Sequence, residues 1–228
     1  MASRLSTSVS TAVEVPDQIF GNGRHGTARQ RERYIAILQV TIDHLRKKGF
    51  EQTNVQGIAN DSGVALATIY RYFSSRDKLI YIASEHWLRQ IASRSLPAKK
   101  STVERHILQL IRNAAKLLRS EPRLLEAWAR VHLSTAPDVV ELVRRRQPPD
   151  WVGTLPVDDK QYPALRKDLD LILDHVWFSG ITRWALGEKS YDQVYRDSER
   201  AAILVLNAYQ YSDLAKKNKL ASPCHRPK

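Results

Sequence analysis

The segment Gly49–Leu79, GFEQTNVQGIANDSGVALATIYRYFSSRDKL, constrains this chain more than any other stretch. Two short helical patterns flank a turn at Asp61-Ser62-Gly63-Val64. Thr53 is the expected N-cap of the first, which carries Val55, Ile58 and Ala59 on one face. Gly63 stands where the chain must bend sharply and a residue without Cβ is least strained. The second pattern predicts a helix from about Ala65 to Tyr72. Ile69 and Phe73 fall on its buried side, and Thr68, Tyr70, Arg71 and Tyr72 share the outward faces. Two short helices joined by a tight glycine-containing turn form a helix-turn-helix, whose second helix enters the major groove of DNA.

Composition limits what surrounds this unit. A length of 228 residues allows one or two domains with real cores, and 43% hydrophobic with 26% charged residues is ordinary for a soluble globular chain. No apolar run approaches the ~20 residues of a membrane span, and the N-terminus lacks the apolar core of a secretory signal. The single cysteine, Cys224, excludes an intramolecular disulfide and fits a reducing, cytoplasmic compartment. The net charge of +12 favours nucleic acid or an anionic surface as partner. Yet residues 1–90 hold only 12 basic against 8 acidic side chains, so most of the surplus lies outside the helix-turn-helix and charge alone does not locate it.

Read in order, residues 1–23 are rich in Ser, Thr and Ala without an apolar period, the pattern of a disordered tail. Arg24, His25, Arg29, Arg31 and Arg33 then form a basic stretch suited to following a phosphate backbone and reaching the minor groove. A helix over Arg29–Lys48 follows, with Tyr34, Ile37, Leu38, Ile42 and Leu45 at helical spacing, Gly49 as its stop and Phe50 as a plug for the small core. Ser74-Ser75-Arg76-Asp77 signals a further helix running to about Ser95, and Leu96-Pro97 breaks it. Ser101-Thr102-Val103-Glu104 reads as a capping box opening a helix striped by Ile107, Leu110, Ile111, Ala114, Leu117 and Leu118. Pro122 and Pro137 each open another short helix. Four prolines and Gly153 make 147–163 a long loop, and two long apolar helices follow over about Ala164–Leu186 and Asp192–Leu214. No strand signal is present. The expected fold is all-α: a three-helix helix-turn-helix DNA-binding domain over 24–78, a larger helical ligand-binding and dimerisation domain over 79–215, and a basic tail over 216–228.

Ile58-Ala59, Gly63-Val64, Thr68-Ile69-Tyr70-Arg71-Tyr72-Phe73 and Lys78-Leu79 fall at the spacing of the TetR family of transcriptional regulators, which the segment closely resembles. The resemblance implies phosphate contacts from Thr68, Tyr70, Tyr72 and Lys78, while Arg71 or Tyr70 reaches base edges. With Arg29, Thr53, Ala65 and Leu66 these make up the expected DNA-contacting set. The chain departs from the usual pattern at Ala65, Leu66 and Ala67, which replace a capping serine, a polar residue and a glycine; the lost cap weakens the helix start by ~1 kcal/mol. The resemblance further implies a small ligand bound between the C-terminal helices and dimerisation through the last two long helices. Trp128, His132, Trp177 and Phe178 are the expected lining of an apolar ligand pocket with a polar handle. Around LLEAWARV and DHVWFSGITRWAL the chain also resembles TetR-type regulators of lipid and steroid degradation.

Enzyme chemistry has little support. No metal-ligand spacing and no Gly-rich phosphate loop occur, and among His132, Asp174 and His175 the last two are sequence neighbours pointing to different helix faces. No catalytic residue, metal or cofactor is expected. The expected function is a dimeric, sequence-specific repressor, released from a near-palindromic double-stranded operator by a small apolar effector. The alternative is a nucleoid-type binder without effector control, which shows no sequence preference and a steep salt dependence.

Overall fold

The computed structural model describes residues 27–97, 102–145 and 164–217, with side chains to 210. The expected tail over 1–23, the basic residues Arg24 and His25, the 147–163 loop and Cys224 lie outside the described residues. Nine α-helices and no strand occupy the described residues: α1 (Ala28–Gln52), α2 (Val55–Ser62), α3 (Leu66–Phe73), α4 (Arg76–Ser95), α5 (Val103–Arg119), α6 (Pro122–His132), α7 (Pro137–Arg144), α8 (Leu165–Ala185) and α9 (Tyr191–Lys217).

α1 opens on a full capping box, Thr27 accepting from the Gln30 amide while the Gln30 side chain accepts from the Thr27 amide. Tyr34, Ile37, Leu38, Thr41, Ile42 and Leu45 recur every three or four residues and are buried as one stripe. Gly49 interrupts the helix as its sequence suggests: φ of 77° is a conformation that side chains with a Cβ resist, and one further helical turn follows it.

The cap of α2 lies one residue later than the sequence suggests. Asn54 Oδ1, not Thr53, accepts the Gly57 amide at 2.8 Å. Thr53 is fully buried and turns its hydroxyl back onto the Gly49 carbonyl at 2.7 Å. At the other end Gly63 takes the left-handed conformation (φ 65°, ψ 21°), and the Val64 amide closes onto the Ala59 carbonyl at 3.2 Å. This is the bend between the two motif helices.

Packing fixes α3 against α1. Tyr34 stacks on Phe73 at 4.9 Å, and Tyr72 meets both rings edge-on at 5.9 and 6.1 Å. Arg76, at the head of α4, donates to the Thr53 and Phe50 carbonyls and lies over the Phe50 ring at 4.5 Å. Phe50 is therefore a half-buried lid under an arginine rather than a plug at the centre of the core.

The same apolar cluster continues without a break along α4 to Trp87, into α6 through Leu124, Leu125 and Trp128, and on to Ile181 of α8 and Val194 of α9. A second cluster, built from Ile107, Leu110 and Ile111 of α5, Leu165 and Leu169 of α8, and Ala202, Val205 and Leu206 of α9, holds the far end. The cap of α5 is Thr102, accepting from the Arg105 amide, where a Ser101 cap was expected. α8 and α9 pack closely at Gly180, where an added Cβ would stand 2.8 Å from a Val194 methyl.

Candidate nucleic-acid interface

α3 is two turns long, and its residues divide between core and surface according to which side of the helix meets α1. Ile69, Tyr72 and Phe73, at spacings of three and four, are buried, while Ala65, Ala67, Tyr70 and Arg71 are exposed. Tyr70 leaves 45% of its surface open, enough for its ring and hydroxyl to meet a partner. The Arg71 guanidinium lies 5.6 Å from the Tyr72 ring centre, at the rim of the core. Thr68 is half-buried, and Leu66, also half-buried, spends much of its side chain on the head's core. Ala65 occupies the N-cap position and makes no side-chain cap, as its residue type requires.

Two expected contacts are corrected. Tyr72 is only 4% exposed and belongs to the aromatic core with Tyr34 and Phe73, so it presents no hydroxyl to a phosphate. Thr53 is sealed inside beneath Arg76 and likewise does not reach the surface. Arg29 is exposed in the first turn of α1, and Lys78 is half-buried in the first turn of α4. Ser75 caps α4 by accepting the Lys78 amide at 3.1 Å, so the helix presents its positive end beside that ammonium.

Several residues that position this face were not singled out in the sequence. His44 of α1 meets Asp61 of α2 at 2.6 Å and ties the two helices together. The exit from α3 runs through Ser74, the one described non-glycine residue with positive φ (47°). There the Ser75 amide bonds back to the Phe73 carbonyl, a tight γ-turn-like geometry that side chains with a Cβ adopt at a cost. Asp138 of α7 accepts from both serine hydroxyls at this turn, Ser74 Oγ at 2.9 Å and Ser75 Oγ at 2.7 Å. Partial burial pushes the Asp138 carboxyl up, but the Ser75 and Ser74 hydrogen bonds together with the Lys78 charge outweigh it and hold the group below the usual carboxylate range. Next to it, Ser134 donates to Asp77 of α4 at 2.9 Å.

The four expected pocket residues do come together, though as a packed cluster. Trp128 stands 4.1 Å from His132, 4.7 Å from Trp177 and 5.7 Å from Phe178, ring centre to ring centre. Buried Glu85 of α4 anchors the group: Trp128 Nε1 donates to its Oε1 at 2.8 Å, and His132 Nε2 lies 3.1 Å from the same oxygen. The cavity lies beside this cluster, between α5, α8 and α9. It measures about 70 Å³, and Leu110, Ala114, Leu118, Leu173, Trp177 and Val194 supply its apolar walls. Asp174, Tyr195 and Ser198 are its polar lining. Of the four expected residues only Trp177 reaches it, while Trp128 and His132 are spent on the junction with α4.

Comparison with known proteins agrees with this architecture. A profile of the family described as "Bacterial regulatory proteins, tetR family" matches residues 37–81, from mid-α1 into α4. The HTH-type transcriptional repressor KstR of Rhodococcus jostii (strain RHA1) is 26% identical over 209 residues, spanning 88% of this chain and 92% of its own. The fatty acid metabolism regulator protein of Bacillus subtilis (strain 168) is 23% identical over 190 residues, 78% of this chain and 96% of its own. The crystal structure of a TetR transcriptional regulator from Rhodococcus sp. RHA1 superposes with a TM-score of 0.60 at 22% identity, covering 78% of this chain and 96% of that one, and shares the fold. Among the described residues no helix is long and apolar enough to cross a membrane. A capped α2, a left-handed Gly63 turn and an α3 with Tyr70 and Arg71 outward stand on a helical body matched nearly end to end by such regulators, and over residues 37–81 the chain carries the helix-turn-helix segment of the tetR family profile.

Proposed function

We propose that the protein is a sequence-specific DNA-binding transcriptional repressor that acts as a dimer on a near-palindromic operator. The observation that carries this reading is the division of α3: its apolar side is sealed on Tyr34 while Tyr70 and Arg71 stand exposed beside the positive end of α4. Tyr70, Thr68, Lys78 and Arg29 are suited to phosphate oxygens, which set register, and Arg71 to a base edge, where a bidentate contact to guanine discriminates by ~1–3 kcal/mol. Ala65 and Leu66 lie at the entry of the same helix, where only apolar contact with a thymine methyl is open to them.

Dimerisation through α8 and α9 is supported by what those helices leave exposed. Leu171 (53%), Ile172 (39%), Ile203 (38%) and Leu204 (63%) are large apolar side chains facing outward from a pair of helices that already pack on each other. A second copy burying this face gives a four-helix seam and sets two recognition helices about 34–36 Å apart, one turn of DNA. The cavity between α5, α8 and α9 is the site we assign to an effector, a small apolar molecule with one hydrogen-bonding group. At about 70 Å³ it is far below the ~300–1,000 Å³ of an ordinary ligand pocket. A ligand of useful size therefore favours a conformation with these helices further apart, and its differential affinity for that state is what shifts the spacing of the reading heads.

The test is recovery of genomic fragments by the purified protein, with recovered sites examined for dyad symmetry. Palindromic sites with half-sites about ten base pairs apart are expected. Random recovery with a steep salt slope favours the nucleoid-type alternative. On a recovered site, Tyr70→Phe and Lys78→Ala weaken binding to all duplexes alike, whereas Arg71→Ala changes the preferred sequence.

A further inference from the structure

We propose that Asp138 of α7 is a positioning residue for DNA reading: its carboxylate clamps the exit turn of α3 and so fixes the pose of the recognition helix relative to the positive end of α4. The inference rests on the DNA-binding reading above and adds a part from outside the helix-turn-helix. It starts from the backbone. Ser74 holds a positive φ that serine rarely adopts, and the turn around it joins the helix carrying Tyr70 and Arg71 to the helix carrying Lys78. A backbone in such a conformation persists only when its surroundings over-determine it. The surroundings here are one carboxylate oxygen, Asp138 Oδ2, which accepts from the hydroxyls of both residues of the turn, Ser74 at 2.9 Å and Ser75 at 2.7 Å.

The clamp is itself held. α7 starts on Pro137, Val139 behind the carboxylate is fully buried, and the Tyr81 hydroxyl of α4 reaches the Leu142 carbonyl further along α7. Ser134, in the connection from α6, donates to Asp77 in the first turn of α4. Three hydroxyl donors, Ser74, Ser75 and Ser134, and two carboxylate acceptors, Asp138 and Asp77, thus cross between the α3–α4 turn and the α6–α7 corner. A clamp on the α3–α4 turn acts on DNA contacts without touching DNA, because Tyr70 and Arg71 lie on one side of it and Lys78 on the other. A bare negative charge at this place would do the opposite, repelling phosphate, so the two roles predict opposite signs.

The experiment uses the full chain and three variants: Asp138→Ala, Asp138→Asn, and Ser74→Ala with Ser75→Ala. In free protein, amide exchange over residues 74–78 is expected to quicken at least about tenfold in Asp138→Ala, with α5 and α9 unchanged. On the duplex recovered most strongly by the wild-type protein, Asp138→Ala is expected to bind about tenfold more weakly. Asp138→Asn, whose amide still bonds the serines, is expected within about threefold of wild type. Adding Asp138→Ala to the double serine variant is expected to change affinity no further. Unchanged exchange at 74–78, equal or tighter binding by both Asp138 variants, or fully additive losses each overturn the clamp. The exchange measurement needs no DNA, so it decides the clamp even where the wild-type protein recovers no specific site, an outcome that would instead overturn the proposed function.

Discussion

The reading head and the helical body treat their apolar side chains differently. In the head, α1 to α3, Tyr34, Ile37, Leu38, Ile58, Ile69, Tyr72 and Phe73 are sealed, and the two open large apolar or aromatic side chains, Ile35 (40%) and Tyr70 (45%), stand on different helices. In the body, α8 and α9 bury Leu169, Ile181, Ala202 and Val205 yet leave Leu171, Ile172, Ile203 and Leu204 in the open. Exposed apolar patches of this kind mark surfaces with partners. The head leaves such side chains open singly, whereas the body groups them on α8 and α9, the face we propose a second copy covers. The two are joined by α4, whose Glu85 binds Trp128 and whose first turn is met by Asp138 and Ser134.

The largest expected effect probes the joint. Trp128→Ala removes a fully buried ring and leaves Glu85 without its indole donor, at a cost of about 3–5 kcal/mol. Denaturant unfolding followed by fluorescence and by exchange in α1 checks it: one shared transition, moved to lower denaturant, supports a continuous core. Persistence of α1 after the body has unfolded breaks the picture of a single joined unit.

Leu204→Glu comes next. The side chain is 63% exposed, so the protomer's own fold is unaffected, but two copies of a buried leucine are replaced by charges in the proposed seam. Dimer dissociation is expected to worsen by about 100-fold, roughly 3 kcal/mol, in sedimentation equilibrium. An unchanged dimer places the seam elsewhere.

Gly180→Ala tests the packing inside the body. The new methyl meets Val194, whose branched side chain has little rotamer freedom in a helix, so α8 and α9 must separate at about 1–3 kcal/mol in thermal or denaturant unfolding. DNA affinity per intact dimer is expected to hold. Asn54→Ala, the smallest change, removes the α2 cap at about 1 kcal/mol. It is expected to weaken DNA binding while leaving the dimer untouched, the mirror image of Leu204→Glu.

The misread residues show where sequence reasoning stops. Thr53 and Asn54 are both good caps, and only the actual start of α2 tells them apart. Tyr72 stands three residues after Ile69, a spacing that assigns it to the core, but its hydroxyl and the arginine beside it favoured the surface. Trp128 and His132, four residues apart, share one face of α6, and tertiary packing brings Trp177 and Phe178 of α8 against it. Nothing in that spacing says that α4 would supply a glutamate to fill the space between them.

The sequence by itself determined much of the local structure: the nine helices of the described residues, the break at Gly49 and the stop at Gly63, the helix-turn-helix and the outward place of Tyr70 and Arg71. These follow from residues three and four apart and from φ angles that favour glycine, both of which are local quantities. Tertiary structure alone decided that Asp138 would meet Ser74 and Ser75, that Glu85 would pair with Trp128 and His132, and that the cavity would open between α5, α8 and α9. Those pairings join side chains far apart along the chain, and which apolar face chooses which is settled only when all of them compete for burial at once.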